Sequence, residues 1–207
     1  MGLWGRFFAA NYDRFMAGSE KAGLRERREK LLGQAHGRVL EIGGGTGANL
    51  PFYGPAVEEL VVTEPEEPMA RRLEKKLLGY SRQVRVLRVP AEQLPFEDES
   101  FDVVVTTLVL CTVTDQSRSL QEAHRVLKPG GKLLFLEHVR SDDPKSAKWQ
   151  DRLNGFQKRF ACGCNCNRDT LSAIEGQGFS IADVVHERFP KAPPFVRPII
   201  VGTAQRV

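Results

Sequence analysis

A short apolar strand that runs directly into a cluster of glycines constrains the fold of this chain more than any other feature. Residues 39–47 read Val-Leu-Glu-Ile-Gly-Gly-Gly-Thr-Gly. Glycine lets the backbone turn at positive φ, and it lets a ligand lie against bare main chain. A strand followed by such a loop is typical of α/β sheets that bind ligands at the carboxyl ends of their strands.

The spacing of these glycines differs from the common dinucleotide-binding pattern. Nicotinamide and flavin enzymes use G-x-G-x-x-G, whereas here Gly43, Gly45 and Gly47 alternate and the acid Glu41 precedes them. The glycine loop alone is weak evidence, so other residues must decide which ligand it holds.

Short apolar runs and helical stretches alternate along the rest of the chain. This repeated order predicts a parallel sheet with right-handed crossovers. The strand candidates are residues 39–42, 60–63, 84–89, 101–107 and 132–137, and the helical stretches between them lie near residues 47–54, 67–78 and 115–127.

Two further strand candidates, residues 179–186 and 196–204, follow helical stretches at 144–160 and 169–177. The Pro-rich connection over residues 187–195 is too short for a helical crossover, so we expect an antiparallel final strand. The predicted fold class is therefore α/β, with a Rossmann-like, seven-stranded, mostly parallel sheet, helices on both faces and an antiparallel last strand.

The N-terminal segment is predicted to be a helical extension of the main domain. Residues 3–17 carry aromatic side chains at helical spacing, and residues 19–34 favour a second, largely exposed helix with Ser19 as its N-cap. We therefore divide the chain into an extension over residues 1–36 and a domain over residues 37–207. The aromatic stripe fits either a lid over the ligand or ordinary core packing.

Composition and charge narrow the class of protein. Hydrophobic residues make up 41% of the sequence, and no apolar run reaches the roughly 18 residues that a membrane span needs. No secretory signal is recognisable, so we expect a cytoplasmic protein. The net charge of +4 comes from basic flanks around an acidic middle. Because no long run of like charge occurs, we interpret it as solvated surface and expect no nucleic-acid partner.

Three of the four cysteines stand close together, at positions 162, 164 and 166. This grouping does not resemble the framework of a disulfide-stapled secreted domain, so we expect reduced thiols. Zinc sites normally separate neighbouring cysteines by two to four residues, whereas one residue separates the neighbours in this group, and we predict no metal site. Capture of a soft metal or metalloid remains the alternative.

An acidic residue follows the second predicted strand, 23 positions beyond Glu41. Glu64, which precedes Pro65, can accept hydrogen bonds from both hydroxyls of an adenosine ribose at that strand end. An acid at the start of a helix, where the helix dipole favours it, is the alternative. The glycine loop upstream favours ribose binding.

Further motifs occur in a fixed order after these two. They are Ala-Glu-Gln-Leu-Pro-Phe over residues 91–96, Asp-Glu-Ser-Phe-Asp over 98–102 and Lys-Pro-Gly-Gly over 128–131. With them, residues 37–139 resemble the class I S-adenosylmethionine-dependent methyltransferases. The resemblance implies an enzyme that uses S-adenosyl-L-methionine as its cofactor.

The resemblance also implies roles for individual residues. The glycines would approach the methionine and adenosine parts of the cofactor, and Leu108 would lie near its sulfonium. Core packing is the alternative, most of all for Met69. The residues expected at the cofactor are Tyr12, Glu41, Gly43, Gly44, Gly45, Gly47, Glu64, Pro65, Met69, Ala91, Glu92 and Leu108.

Within this superfamily the chain is most similar to the thiol S-methyltransferases and their bacterial relatives. The similarity lies in residues 107–113, 137–138, 149–150 and 163–168. It implies a small-molecule acceptor, with a thiol favoured. Those enzymes carry an N-terminal hydrophobic anchor that this chain lacks, so we expect at most peripheral membrane contact.

Other acceptors remain open at this stage. The quinone C-methyltransferases share the pair Tyr12 and Asp13, and phospholipid N-methylation is a further alternative. Methylation of a metalloid or of nucleic acid is disfavoured, as is a module that binds the cofactor without catalysis. The oligomeric state stays unknown.

Methyl transfer from a sulfonium is an in-line displacement, so the protein must align the reactants, exclude water and remove a proton where needed. His138 lies at the end of the fifth predicted strand, where ligands gather in open α/β sheets, and is the predicted base for a thiol acceptor. Glu137 is predicted to orient it. A supporting hydrogen-bonding role for both is the alternative.

Overall fold

A computed structural model describes residues 3–160 and 163–207 of the chain, apart from the side chain of Leu3. Seven strands form one sheet in the order β3-β2-β1-β4-β5-β7-β6. Strand β7 is antiparallel to β5 and β6, and the other pairings are parallel. The strands are β1 (Gly37–Ile42), β2 (Val57–Thr63), β3 (Val84–Leu87), β4 (Phe101–Thr107), β5 (Leu127–His138), β6 (Phe179–Arg188) and β7 (Pro198–Arg206). The predicted Rossmann-like fold is confirmed.

Within the described residues, six α-helices connect and cover the strands, and the side chains of Asp115 and Asp169 cap α4 and α6 by accepting backbone N–H bonds. Short 3₁₀ turns occur at Leu50–Phe52 and Pro194–Val196. The helices are α1 (Leu3–Ser19), α2 (Arg25–Leu32), α3 (Glu67–Leu77), α4 (Gln116–Val126), α5 (Pro144–Phe160) and α6 (Thr170–Glu175).

The centre of the sheet is buried on both faces, as its continuous apolar strands require. Val39 and Leu40 of β1 are fully buried, as are Val103 and Val104 of β4. Alternate residues of these strands belong to two hydrophobic clusters, one on each face of the sheet. Because β1 and β4 lead to opposite halves of the sheet, the loops at their carboxyl ends diverge and leave a crevice between them.

Two predictions about local structure were wrong. The helix expected near residues 47–54 is only the 3₁₀ turn, since Pro51 lacks an N–H and the Asn49 side chain is bonded to the sheet. Ser19 is not an N-cap: it has helical φ and ψ, and its hydroxyl donates to the Pro190 carbonyl over 2.8 Å. The chain instead bends in a π-helical segment, Glu20–Leu24, where Gly23 has φ 119°.

The second N-terminal helix is also less exposed than expected. Leu31 and Leu32 are buried, and Arg28 is only 2% exposed. This helix packs on β5 and β7. One of its faces is therefore buried against the sheet, although its sequence is rich in charged residues. Among the described residues, no helix has the length and apolar character of a membrane span.

Candidate active site

A cavity of about 740 Å³ opens at the carboxyl ends of the parallel strands, a size common for ligand sites. The loops after β1, β2 and β4 form its walls, and α1 lies across it. Of the predicted site residues, the cavity is lined by Tyr12, Gly43, Gly45, Glu64, Pro65, Met69, Ala91, Glu92, Leu108 and His138. The other four, Glu41, Gly44, Gly47 and Glu137, lie behind this wall.

The glycine loop lines the cavity with the backbone of Gly43 and Gly45, and of these two only Gly45 has open space where a side chain would stand. Gly45 has φ 56°, and a Cβ placed on it would meet no atom within 4 Å. A Cβ on Gly43, which has φ 68°, would instead lie 2.6 Å from Val109. The main chain at Gly45 is therefore the open surface against which a ligand can lie.

The other two glycines serve packing behind the loop. A Cβ on Gly44 would lie 2.2 Å from Val62 of β2, and a Cβ on Gly47 would lie 2.9 Å from Leu73 of α3. These glycines let the loop lie close to β2 and α3. Neither glycine lines the cavity, so neither is placed to contact a ligand there directly.

Glu64 joins the end of β2 to the glycine loop. One carboxylate oxygen accepts the Gly45 N–H over 2.8 Å, and the other accepts the Glu66 N–H over 2.9 Å. Burial raises the pKa of this carboxyl above its usual range, although the two backbone hydrogen bonds offset part of that effect. Each oxygen has further acceptor capacity for a ligand in the cavity.

Glu41 lies beneath the loop and is 2% exposed. Its two oxygens accept hydrogen bonds from Asn49 Nδ2 and Tyr53 Oη, each over 2.8 Å. Burial raises the pKa of this carboxyl as well. Glu41, which the sequence predicted at the cofactor, lies behind the cavity wall and holds the segment after the glycine loop.

A buried arginine, which no sequence motif indicated, extends this network. Arg28 of α2 donates to Asn49 Oδ1 over 2.7 Å and to Thr107 Oγ1 over 3.1 Å. Thr107 lines the cavity at the end of β4. The N-terminal extension thus supports the cavity floor through a side chain that is hidden from solvent.

Helix α1 is tied to the glycine loop by the residue next to Tyr12. Asp13 accepts a hydrogen bond from Thr46 Oγ1 over 2.5 Å, and its other oxygen lies 3.0 Å from Lys76 Nζ. Partial burial would raise the pKa of Asp13, but the bonds from Thr46 and Lys76 lower it below its ordinary value. Asp13 therefore holds α1, and with it Tyr12, over the cavity.

The remaining predicted residues that line the cavity differ in their surroundings and conformation. Met69 and Ala91 are buried at its edge. Glu92 uses Oε1 to accept the N–H groups of Thr114 and Asp115, over 2.9 and 3.1 Å, so this oxygen is committed to the loop after β4. Leu108 has φ 61°, a conformation that costs a non-glycine residue free energy.

Glu137 and His138 do not form the pair that the sequence predicted. Glu137 accepts the N–H groups of Val109 over 3.1 Å and of Cys111 over 3.4 Å, and no hydrogen bond joins it to His138. Successive residues of a strand point to opposite faces, which explains the separation. Glu137 holds the loop after β4, and its predicted orienting role is corrected accordingly.

His138 faces the cavity and packs against Phe189, with ring centroids 4.8 Å apart. Its Nδ1 atom is buried and has no hydrogen-bond partner among the described residues. Burial lowers the pKa of the imidazole, so the neutral ring is favoured at neutral pH. A neutral imidazole can accept a proton.

Three described cysteines cluster at the same end of the cavity. Cys164 Sγ lies 3.7 Å from Cys111 Sγ and 3.3 Å from Cys166 Sγ, and all three thiols are free. Within residues 3–160 and 163–207, no group of three or more His, Cys, Asp or Glu side chains is arranged to hold a metal ion. Cys162, the remaining member of the predicted cluster, lies outside the described residues.

The cavity fits S-adenosylmethionine on two observations. The open backbone at Gly45 leaves room where any side chain would intrude, and the buried carboxylate of Glu64 stands 2.8 Å from that backbone. A carboxylate at this strand end, beside bare main chain, suits the hydroxyls of a ribose.

Comparison with known proteins agrees with this geometry. A family model described as "Methyltransferase domain" matches residues 40–135. The chain is 35% identical to human thiol S-methyltransferase TMT1A over 95% of this chain and 82% of that protein. It is 32% identical to phosphatidylethanolamine N-methyltransferase of Cereibacter sphaeroides over 72% of this chain and 73% of that protein.

Solved structures give the same picture. A SAM-dependent methyltransferase of Thermotoga maritima, described as a possible histamine N-methyltransferase, superposes over the whole of both chains with a TM-score of 0.74 and 25% identity. A geranyl diphosphate methyltransferase in complex with SAM matches 91% of this chain and 85% of its own, with a TM-score of 0.70 and 17% identity.

Proposed function

Because this chain belongs to the S-adenosylmethionine-dependent methyltransferases, we propose that it transfers the methyl group to a small thiol. The observation that carries the choice of acceptor is the apolar end of the cavity around His138. The imidazole of His138 lines the cavity there, and burial lowers its pKa, so the neutral ring can take a thiol proton. The 35% identity with a thiol S-methyltransferase supports the same acceptor.

In this proposal the cofactor lies along the glycine loop. Gly43 and Gly45 contact it through bare backbone, and Glu64 accepts its ribose hydroxyls. Met69 and Ala91 flank the adenine, and Glu92 lies near it. Pro65 lies beside Glu64 at the ribose, and Leu108 lies near the sulfonium. Gly44, Gly47 and Glu41 act from behind by fixing the loop.

We also propose that residues 1–36 act as a lid on the domain formed by residues 37–207. The hydrogen bond between Asp13 and Thr46 fixes α1 over the cavity, where Tyr12 and Phe8 contribute to its wall. Release of this helix would open a path for exchange of the cofactor. Closure would exclude water from the reacting groups.

When bound, the cofactor supplies a methyl group on a positively charged sulfur. The protein aligns a thiolate with that group in a site lined by Leu108, Val109 and Phe189. Both charges disappear during transfer, so an apolar site favours the transition state over the separated ions. His138 removes the thiol proton, and Glu137 fixes the loop that carries Val109.

Two other acceptors follow from relatives. One relative is named a phosphatidylethanolamine N-methyltransferase, and a ubiquinone/menaquinone C-methyltransferase of Ectopseudomonas mendocina is 38% identical over 55% of this chain and 46% of its own length. A lipid amine or a quinol ring therefore belongs in any screen of acceptors beside the thiol.

Peripheral membrane contact has its own structural support. Exposed aromatic side chains of α1 and α5 touch one another: Trp4 contacts Phe7 and Phe160, and Phe160 contacts Phe156. Exposed cations stand on the same helices, namely Arg6, Arg14, Arg152, Lys158 and Arg159. Aromatic and basic groups together favour an anionic lipid surface. Flotation with phosphatidylglycerol vesicles tests this contact, and Phe156→Ser should reduce it.

The decisive experiment measures methyl transfer from labelled S-adenosylmethionine to 2-mercaptoethanol, a quinol and phosphatidylethanolamine. We expect turnover of the thiol, which His138→Ala lowers by about 10²-fold or more if the imidazole is the base. The matched control is His186→Ala, because His186 is exposed on β6 and outside the cavity. Cofactor affinity should stay unchanged in both variants. Methylation of the quinol or the lipid alone would defeat the thiol assignment.

A further inference from the structure

Two cavity-lining thiols on different segments meet at the acceptor end of the site. Cys111 follows β4, Cys164 follows α5, and their sulfur atoms are 3.7 Å apart. The mechanism above uses neither of them. A third thiol, Cys166, lies 3.3 Å from Cys164 Sγ but does not line the cavity.

The two segments are already held together by their backbones. The Asn165 N–H donates to the Cys111 carbonyl over 2.7 Å, and Asn165 Nδ2 donates to the same oxygen over 3.3 Å. Arg168 adds a bond to the Leu110 carbonyl over 2.6 Å. The sulfur atoms of Cys111 and Cys164 need to approach by less than 2 Å to reach the roughly 2.05 Å of a disulfide.

The thiols differ in reactivity because of how they face one another. Cys164 Sγ is the atom shared by both contacts: its thiol donates to Cys111 Sγ, and in the contact with Cys166 either sulfur can donate. The hydrogen bonds that Cys164 shares with Cys111 and Cys166 lower its pKa, whereas the hydrogen bond with Cys164, together with burial, raises the pKa of Cys111. Cys164 is the stronger nucleophile of the pair and opens to the cavity.

We propose that Cys164 and Cys111 form a disulfide by exchange with small-molecule disulfides that enter the acceptor end of the cavity. The Cys164 thiolate attacks one sulfur of the disulfide RSSR, whose S–S bond breaks and releases one thiolate. Cys111, after losing its proton to that thiolate, attacks Cys164 Sγ and releases the second thiolate, which takes a proton from water. One disulfide and two protein thiols thus become two small thiols and one protein disulfide.

The exchange regulates the same site, and this consequence rests on the proposed thiol acceptor. Closing the bond draws the loop after β4 toward the loop at residues 163–166 and changes the acceptor end. A displacement of about 1 Å can lower a rate about 10²-fold. We expect the protein disulfide to slow thiol methylation at least about tenfold, and reduction by dithiothreitol to restore it.

The test treats the reduced, full-length protein, freed of reductant, with 2-hydroxyethyl disulfide under anaerobic conditions. We expect the intact mass to fall by two hydrogen atoms, with no retained adduct, and the peptide map to link Cys111 to Cys164. A persistent adduct in the unsubstituted chain, a link that uses Cys162 or Cys166, or no reaction at all would overturn the proposal.

Variants identify the order of attack. Cys111→Ser should keep the mixed disulfide at Cys164, and Cys166→Ser, the matched control, should still form the protein disulfide. Because buried substitutions can impair folding, the peptide map of the unsubstituted chain remains sufficient on its own. If no thiol is methylated in either redox state, the proposed acceptor is wrong, while the mass measurement still decides whether the disulfide forms.

Discussion

The Glu64 carboxylate and the Gly45 backbone N–H are joined by a hydrogen bond of 2.8 Å that connects the end of β2 to the glycine loop after β1. The bond places a negative charge beside the backbone of Gly45, which is open to the cavity. Glu64 therefore has two tasks: it shapes the loop, and it offers acceptor capacity to a ligand.

Glu64→Ala should weaken binding of S-adenosylhomocysteine by about 10- to 100-fold. The substitution removes hydrogen bonds to a charged acceptor, each worth about 1.5–3 kcal/mol before water recovers a part. Calorimetry measures the affinity. The control is Glu67→Ala, two residues beyond the cavity residue Pro65, because Glu67 is exposed and does not line the cavity. Equal affinity in the wild type and Glu64→Ala would remove the ribose assignment.

Substitution of two adjacent glycines by alanine should have different main effects: weaker cofactor binding at Gly45 and lower stability at Gly44. In Gly45→Ala the new methyl group enters the open cavity, so cofactor affinity should fall, while stability should fall only by about 1–2 kcal/mol for the left-handed backbone. In Gly44→Ala the methyl group collides with Val62, so the melting temperature should fall more. Thermal unfolding and calorimetry on both variants separate the two effects. The reverse order would mean that the cavity face of the loop has been misidentified.

Asp13→Asn should loosen the proposed lid. The amide keeps the shape of Asp13 but loses the charge that faces Thr46 and Lys76. We expect faster amide hydrogen exchange in α1 and cofactor affinity weaker by about three- to tenfold, the effect of losing roughly one hydrogen bond. Thr46→Val should act through the same bond, so the effects of the two substitutions should not add. Additive effects would show that Asp13 and Thr46 act independently.

Local patterns in the sequence predicted the sheet and the position of the glycine loop. The strands alternate with helices at regular intervals. The need for glycine where the backbone has positive φ can be recognised from that one residue alone. Gly45 and Glu64 follow strand ends, where the fold itself brings side chains together. These predictions needed no knowledge of contacts between distant segments.

The features of the site that the sequence did not predict depend on contacts between segments that are distant in sequence. Arg28 bonds to Thr107, 79 residues away, and a buried arginine looks the same in sequence as its exposed neighbours. Cys111 and Cys164 are 53 residues apart, so only the fold reveals that they meet. The predicted pairing of Glu137 with His138 relied on adjacency in sequence, which in a strand separates two side chains rather than joining them.

Glu137 provides a prediction about pH. It is fully buried, and burial raises the pKa of its carboxyl from 4.5 to about 7, despite hydrogen bonds from the backbone of the loop after β4. Because the folded protein holds this proton more tightly than the unfolded chain, the carboxyl contributes stability that is fully present below pH 4.5. That stability is lost as the pH rises through about 7.

The free energy of unfolding should record this loss when wild type is compared with Glu137→Gln, whose amide does not titrate. Relative to the variant, wild type should lose up to about 3 kcal/mol between pH 4.5 and 7, at about 1.4 kcal/mol for each pH unit. Urea unfolding at several pH values measures the difference. Glu175→Gln, an exposed substitution on α6, is the control and should leave the curve parallel to wild type. A parallel curve for Glu137→Gln would show that Glu137 is ionised in the folded protein throughout this range, held so by its bonds to Val109 and Cys111.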